Sequence, residues 1–226
     1  MSGKAEILTR IREALREPAP VPGHHGEGAL HHGEPPKEFG NWLPLVDAGI
    51  DAQIEAFAKN SAELKTEFHI LENRDALPAR LAAFASENGW KRVATHGGAL
   101  TDFAVPATKL PVLNTDGGYD KLELEKCDAG ITECDALVAQ TGSVLITGRS
   151  AGGRALSVLP PHHVVVASRT QFVPDLPAAY AVLQKCYAGK WPSFISFITG
   201  PSRTGDIERI LVLGAHGPKR LTIFLC

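Results

Sequence analysis

The run HHVVVAS at residues 162–168 is the feature that most narrows the possible folds. Three consecutive valines place apolar, β-branched side chains on both sides of an extended chain, which is typical of a strand covered on both faces. Strands of this kind occur in parallel sheets that have other elements packed on each side. The run therefore favours an α/β fold over an antiparallel sheet with one face in water.

Helical and extended patterns alternate through the first half of the chain. Apolar residues recur at helical spacing over 48–66 and again over 75–90, where Asp75 is placed to cap the second helix and Asn88-Gly89 to end it. This alternation predicts an α/β layer fold with a largely parallel sheet. The strands predicted in this half, each from a short apolar run, lie at 67–71, 92–96 and 111–114.

Strand patterns are denser in the second half. The polar turn Thr141-Gly142 divides the segment 135–147 into two predicted strands, and a helix is predicted over 178–188. Further strands are predicted at 194–200, 209–215 and 220–226, and we expect the last of these to join the sheet.

The first 38 residues differ from the rest in composition. Apolar side chains form one stripe of a predicted helix over 3–17, and residues 17–36 are rich in Pro, Gly and His without periodicity. We therefore divide the chain into an N-terminal helix and arm, 1–38, and one domain, 39–226. The arm contains HHGE twice, at 24–27 and 31–34, and its histidines are either part of a solvated tether or a weak transition-metal site.

Charge and hydropathy exclude several classes of partner. The 226 residues carry 23 basic and 25 acidic side chains, a net charge of −2, so we expect no attraction to nucleic acid or to an anionic membrane. No apolar run approaches the roughly 20 residues that span a bilayer. The first helix contains Glu6, Glu13 and Glu17, which a transit peptide would avoid, and we expect the protein in the cytoplasm.

The four cysteines, at 127, 134, 186 and 226, are too far apart to predict a metal centre. Iron–sulfur and zinc sites usually contain a C-x2-C pair, whereas Cys127 and Cys134 are separated by six residues. The glycine motif of nicotinamide-binding folds is also absent. We expect reduced thiols that mostly pack, and the sequence leaves any cofactor unknown.

Four polar loops interrupt the apolar runs and supply the candidate site residues. The first, at 140–143, is either a hairpin turn or a hydroxyl-lined turn for a ligand. The second, at 147–163, contains glycines that let a ligand approach the backbone and Arg154, which could pair with an anion. His163 ends this loop and is either a hydrogen-bonded structural residue or an acid–base group.

The third loop, GPSRTGDIE at 200–208, and the fourth, GAHGP at 214–218, separate the last predicted strands. Glycine and hydroxyl residues before two acidic residues fit either an anion cradle at a helix start or an ordinary N-cap by Ser202 or Thr204. The Gly-Lys-Ser/Thr ending of a P-loop is missing. His216 lies in a predicted β-turn, and none of the common hydrolase templates is present.

Taken in order, the four loops resemble the LUD-domain family. The segments that carry the resemblance are AGITECDALVAQTGSVLI, RALSVLPPHHVVV, FITGPSRTGDIE and GAHGPKRLTIFL. The last two are long and specific, and the resemblance covers roughly residues 40–226.

The resemblance implies a three-layer α/β/α fold similar to that of sugar-phosphate isomerases and CoA transferases, with loops that converge at strand ends. It also implies a role in the oxidation of L-lactate to pyruvate by a complex of three proteins, two of which carry iron–sulfur clusters. Because this chain lacks cluster ligands, we expect it to bind a small anionic ligand and to dock with the iron–sulfur subunits.

The candidate site consists of residues that match the family pattern. Ser202, Thr204 and nearby backbone N–H groups are expected to hold the anion, with Arg154 adding charge. Gln140 departs from the glutamate that is frequent in the family, which weakens a CoA-transferase mechanism. The acid–base candidates are His163 and His216, and the ligand-binding candidates are Thr141, Gly142, Ser143, Arg154, Ser157, Gly200, Ser202, Thr204, Asp206 and Glu208.

Three functions stay open on the sequence. The first is a subunit of a lactate-oxidising complex that does not catalyse the reaction by itself. The second, an independent enzyme on phosphosugars or acyl-CoA thioesters, rests on fold analogy alone. The third is a non-catalytic scaffold whose polar loops shape a surface for a partner.

Overall fold

The computed structural model describes residues 3–14, 16, 44–204, 212–214 and 216–226. Internal contacts divide the chain into two units, Met1–Trp42 and Leu43–Cys226. In the first unit, helix α1 spans Gly3–Ala14, and its Ile7 and Leu8 side chains are exposed. The predicted arm and both of its HHGE repeats lie outside the described residues.

The second unit alternates helices and strands, as the sequence pattern predicts. Its helices are α2 (Ile50–Glu63), α3 (Leu77–Glu87), α4 (Thr101–Ala104), α5 (Lys121–Glu125) and α6 (Leu176–Tyr187). Its first strands are β1 (Glu67–Ile70), β2 (Val93–Thr95), β3 (Val112–Asn114), β4 (Ala129–Thr132), β5 (Ala136–Val138) and β6 (Ser143–Thr147). The remaining strands are β7 (His162–Ala167), β8 (Phe172–Val173), β9 (Ile195–Ile198), β10 (Arg203–Thr204), β11 (Val212–Leu213) and β12 (Arg220–Leu225).

The main sheet contains six strands in the order β1-β12-β7-β4-β2-β3, and every neighbouring pair is parallel. The predicted α/β class and largely parallel sheet are therefore confirmed. Strand β7, which carries the valine run, lies between β12 and β4, and all six of its residues are buried. Strand β12 is held between β1 and β7, so the last predicted strand does join the sheet.

Different elements cover the two faces of the main sheet. Helices α3 and α4 pack on one face, against side chains of β2, β4, β7 and β12. On the other face lie α2 and the inner side of a second sheet, ordered β8-β5-β6-β9. Helix α6 packs on the outer side of that second sheet. The residues of β7 are thus buried because one face contacts helices and the other contacts a sheet.

Several short elements differ from the sequence prediction, and the start of α3 and strand β4 are two examples. Helix α3 follows a short 3-10 turn, Arg74–Ala76, whose N-cap is Asn73: the Asn73 side chain accepts a hydrogen bond of 3.1 Å from the Ala76 N–H. The predicted cap, Asp75, lies inside that turn instead. Strand β4 was not predicted, because its four residues include a glycine and lack a longer β-branched run.

The Thr141-Gly142 turn joins β5 to β6, two antiparallel strands, as predicted. Gly142 has φ +64°, and a Cβ atom there would lie 2.6 Å from the Ser61 nitrogen of α2. This glycine is therefore needed both for the turn and for the close approach of α2. In the part of the chain that the structure describes, no helix is long and apolar enough to cross a membrane.

We predict that Gly142→Ala lowers the free energy of unfolding by more than about 2 kcal/mol, because left-handed strain is added to the overlap with α2. Gly189 is the matched control, since it has φ +76° but no atom within 4 Å of an added Cβ. Gly189→Ala should cost only about 1 kcal/mol. Urea unfolding of both variants measures the difference, and equal losses would contradict the packing role of Gly142.

Candidate functional site

A cavity of about 260 Å³ lies between strand β9 and the first residues of β7 and β12. This volume is below the roughly 300–1,000 Å³ of pockets for drug-sized ligands, so it suits a small metabolite. Five of the predicted site residues, Ser157, His163, Gly200, Ser202 and His216, line it. The other lining residues are Val158, Phe194, Ser196, Phe197, Ile198, Thr199, Pro201, Gly217, Pro218 and Leu221.

The two histidines at the start of β7 point to opposite faces of the main sheet, as successive residues of a strand do. His162 contacts the aromatic core under α3, with its ring 5.3 Å from that of Trp90 and 5.7 Å from that of Phe84. His163 faces the second sheet and lines the cavity. Both side chains are almost completely buried.

His163 is a neutral side chain with one free nitrogen. Its Nε2 atom is 2.9 Å from the hydroxyl of Thr132, which ends strand β4. Its Nδ1 atom is buried and has no hydrogen-bond partner among the described residues. Burial, followed by the charge of His162, lowers the pKa of His163 to about 3, so the ring is uncharged at neutral pH.

Ser157 lines the same cavity as His163, and Gly130 leaves room for the loop that carries it. Gly130 is paired with His163 in the register of β4 and β7, and a Cβ atom at Gly130 would overlap the carbonyl oxygen of Leu156. Ser157 is buried, and its Oγ atom also lacks a partner among the described residues. Buried polar groups are normally hydrogen-bonded, and two residues with an unpaired polar group line this one cavity.

A chain of hydroxyl groups reaches the cavity from the β5–β6 turn. Thr141 Oγ1 donates to Ser143 Oγ at 2.8 Å, and Ser143 Oγ is 2.8 Å from Thr199 Oγ1. Thr199 lines the cavity, whereas Thr141 and Ser143 do not. These two predicted ligand residues therefore lie one or two hydrogen bonds behind the wall, and Gly142 packs against α2.

The third and fourth loops form one end of the cavity. The Ser202 N–H donates to the Pro218 carbonyl at 2.9 Å, and the Gly214 N–H donates to the Ser202 carbonyl at 2.9 Å. Arg203 and Thr204 continue into β10, which pairs with β11. Ser202 therefore precedes a strand, and the alternative that it caps a helix is wrong. Asp206 and Glu208 lie outside the described residues.

The described lining of the cavity contains no charged side chain. Arg154 is exposed and donates at 2.7 Å to the Ser193 carbonyl, which ties its glycine-rich loop to the segment before β9. Gln140 points away as well, and its Nε2 atom donates to the Pro44 carbonyl at 3.0 Å. An ionised glutamate at 140 could not donate this hydrogen bond, which gives a structural reason for glutamine at this position.

The carboxyl ends of β2 and β4 are the other expected place for a ligand. The chain passes from β2 to α4 on one face of the main sheet and from β4 to β5 on the other face. In open α/β sheets, ligands bind where neighbouring strands are followed by elements on opposite faces. Here, however, two carboxylates already accept the nearby amides. Asp116 accepts from Gly97 N–H at 2.6 Å, and Glu133 accepts from Leu100 N–H at 2.6 Å and Thr101 N–H at 3.2 Å.

Sequence reasoning missed Thr132, Thr199 and Phe194 as residues of the site. Thr132 lies in the strand that was not predicted, and only the pairing of β4 with β7 places it beside His163. Thr199 stands directly before the GPSRTGDIE loop and could have been included with it, since hydroxyl residues at strand ends are common ligand contacts.

Comparison with known proteins places the chain in a family. The sequence model of the LUD domain matches residues 54–226, about three quarters of the chain. The chain belongs to the LUD-domain family. All the segments that carry the loop resemblance fall inside this match.

Several relatives are named "Lactate utilization protein C", and the share of this chain that they match differs from one relative to the next. The one from Shouchella clausii is 28% identical over 180 residues, which are 77% of this chain and 79% of the relative. The one from Bacillus subtilis is 31% identical over 115 residues, which are 50% of this chain and 48% of the relative. A crystal structure of a DUF162 family protein from Deinococcus radiodurans has a TM-score of 0.61 and 19% identity, and the match covers 79% of this chain and 99% of that one. The structural likeness supports the fold.

We predict that the protein loses stability as the pH falls from 6.5 to 5. In the unfolded chain both histidines of β7 take up a proton near pH 6.5. In the folded chain the pKa of His162 is lowered to about 4, by burial and then by Arg220, and that of His163 to about 3. The unfolded state thus binds more protons, and each histidine costs about 1.4 kcal/mol per pH unit in this window.

Urea unfolding at pH 8, 6.5 and 5 measures this loss. His162→Asn and His163→Asn should each flatten the pH dependence, although His69, whose pKa burial also lowers, will keep part of the slope. A free energy of unfolding that is unchanged between pH 8 and pH 5 would show that the two rings are not buried as neutral groups.

Proposed function

We propose that this chain acts in lactate utilization as the subunit that binds a small 2-hydroxy or 2-oxo carboxylate, such as L-lactate or pyruvate. The ligand would occupy the cavity between β9 and β7. We further infer that the chain works within a complex for the oxidation of L-lactate to pyruvate, in which iron–sulfur subunits carry the electrons. Family membership and the names of its relatives support the role in lactate utilization.

The pair of unpartnered polar groups in the cavity carries this proposal. Both His163 Nδ1 and Ser157 Oγ are buried in its wall and have no described partner, although leaving each group unpaired costs about 1–3 kcal/mol. A carboxylate or an oxygen on the neighbouring carbon would give both groups a partner. A ligand that pairs with both groups would thus be stabilised by two hydrogen bonds from the wall.

An anion can bind in this cavity without a cationic side chain. The charge must be solvated by several neutral donors, because a carboxylate moved out of water without hydrogen bonds is strongly destabilised. The wall offers hydroxyl groups on Ser157, Ser196 and Ser202 in addition to the His163 ring. Thr199, whose hydroxyl is already bonded to Ser143, fixes the position of the wall behind them.

Apolar side chains on the remaining wall suit the methyl group of a three-carbon acid. Phe194, Ile198 and Leu221 line the cavity together with Pro201 and Pro218. His216 lies at the exposed end, at the mouth of the cavity, where it can meet an entering ligand. This combination of a polar end and an apolar wall is typical of sites for small metabolites.

We predict that L-lactate or pyruvate raises the melting temperature of the isolated chain, since a ligand that binds only the folded state stabilises it. Propionate, which lacks the oxygen at the second carbon, should have a smaller effect.

His163→Asn should weaken binding of the ligand roughly tenfold or more, because it removes a hydrogen bond to a charged group. Isothermal titration calorimetry gives the dissociation constants.

The neighbouring histidine provides the control for this variant. His162→Asn makes the same change one residue earlier in the same strand and also removes a buried histidine–threonine contact, but it faces the opposite side of the sheet. It should bind as the wild-type chain does. Ser157→Ala and the exposed Ser86→Ala form a second pair. Equal affinities of the His163→Asn and wild-type chains would refute the assignment of the site.

Growth on L-lactate tests the role in the cell. Deletion of the gene should abolish growth on L-lactate as carbon source in a strain without a redundant copy, and the wild-type and His162→Asn alleles should restore it. The His163→Asn allele should not. If His163→Asn loses ligand in vitro yet supports full growth, the scaffold alternative is favoured; undiminished growth of the deletion strain removes the lactate role.

A further inference from the structure

Each of the two histidines that open strand β7 pairs with a threonine of a neighbouring strand, and the two pairs differ in one contact. His162 Nε2 is 2.8 Å from Thr222 Oγ1, and His163 Nε2 is 2.9 Å from Thr132 Oγ1. All four side chains are buried, and the Nδ1 atoms of both rings have no described partner. A neutral imidazole has one nitrogen that donates and one that accepts, so the direction of each contact decides what the other nitrogen can do.

The direction of the first pair is set by a carboxylate. Thr222 Oγ1 lies 3.3 Å from Glu67 Oε2, and an ionised carboxylate can only accept, so the Thr222 hydroxyl donates to Glu67. Arg220 donates to the other oxygen of Glu67 at 2.7 Å, which holds that carboxylate in its charged form. Thr222 therefore has only lone pairs left for the ring, and His162 must donate from Nε2.

The direction of the second pair is set by the lack of such an acceptor. Within the described residues the Thr132 hydroxyl makes no hydrogen bond except to His163. If His163 donated from Nε2, the hydroxyl proton of Thr132 would be buried without an acceptor. If Thr132 donates instead, its proton is paired, and the donor left without a described partner is the Nδ1–H of His163. His163 lines the cavity, where a ligand can accept from it, whereas Thr132 is not among the described lining residues. Thr132 therefore donates to Nε2.

From this difference we infer that Thr132 is a positioning residue that fixes His163 as the tautomer with its proton on Nδ1, so that the ring presents an N–H donor to the cavity. The inference rests on the proposed function for the identity of the ligand. It narrows the ligand group at this position to an oxygen that accepts a hydrogen bond, either a carboxylate oxygen or the oxygen of a 2-oxo group. An adjacent histidine with the opposite tautomer, His162, has no such role.

The tautomers can be read from ligand-free protein by NMR. In long-range ¹H–¹⁵N spectra of the histidine rings, the nitrogen that correlates with both ring C–H protons is Nε2, and an unprotonated nitrogen resonates far downfield of a protonated one. We expect an unprotonated Nε2 for His163 and a protonated Nε2 for His162 at pH 7.5. Signals are assigned by comparison with His162→Asn and His163→Asn, and a protonated Nε2 on His163 would overturn the inference.

Variants of the two threonines separate positioning from packing. Thr132→Val keeps the shape of the side chain but removes the hydroxyl, so the His163 Nε2 signal should move towards that of a protonated nitrogen, and the affinity for pyruvate should fall up to roughly tenfold. Thr132→Ser restores the hydroxyl and should restore both readouts. Thr222→Val should change the His162 signals and leave pyruvate binding unaltered.

The outcomes distinguish this inference from the proposed function. If Thr132→Val binds pyruvate as tightly as the wild-type chain, the tautomer does not matter for the ligand and the positioning role is wrong. If the wild-type chain fails to bind pyruvate, the proposed function fails, whereas the tautomer assignment is still decided by the ligand-free spectra. Should Thr132→Val not fold, Thr132→Ala removes the same hydroxyl and is measured in its place.

Discussion

Burial of strand β7 on both faces is the constraint on which the rest of this structure depends. One face contacts α3 and the aromatic side chains below it, and the other contacts the second sheet. A strand in this position has to satisfy its polar side chains inside the protein, because water reaches neither side. The two histidines that open β7 meet this demand at Nε2 only, through Thr222 and Thr132, one on each neighbouring strand.

The same burial gives the cavity its chemical character. With no charged side chain in the described lining, the ligand recognition that we propose would depend on directed hydrogen bonds rather than on net charge. It would also depend on which nitrogen of His163 carries the proton and on the position of Ser157. Both depend on strand β4, through Thr132 and through Gly130, which lets the Ser157 loop approach.

The sequence predicts helices and strands well where an apolar run is long or where residues such as Asn-Gly mark the end of an element. The valine run predicts β7 and its position inside a parallel sheet, and Asn88-Gly89 predicts the end of α3, where Gly89 has φ +64°. Short elements are predicted less well. Strand β4 is hidden by its glycine, and the capping role falls to Asn73 rather than Asp75 because the chain makes a 3-10 turn before α3.

The candidate site divides in the same way. The loop residues that line the cavity could be selected from the sequence, since glycines, hydroxyls and histidines near strand ends are recognisable locally. The sequence could not show that Arg154 would bond to the Ser193 carbonyl or that Gln140 would bond to the Pro44 carbonyl. Those contacts join residues about forty and ninety-six positions apart, and no local pattern encodes them.

For this protein the sequence by itself determined the class of fold and the family. These follow from periodicity, turn residues and ordered motifs, which are local properties. Only the tertiary structure decided that the GPSRTGDIE loop enters a strand pair after Ser202, and that Thr132 is placed beside His163. The physical reason is that strand pairing brings distant residues into register, and register decides which polar atoms find partners and which stay free for a ligand.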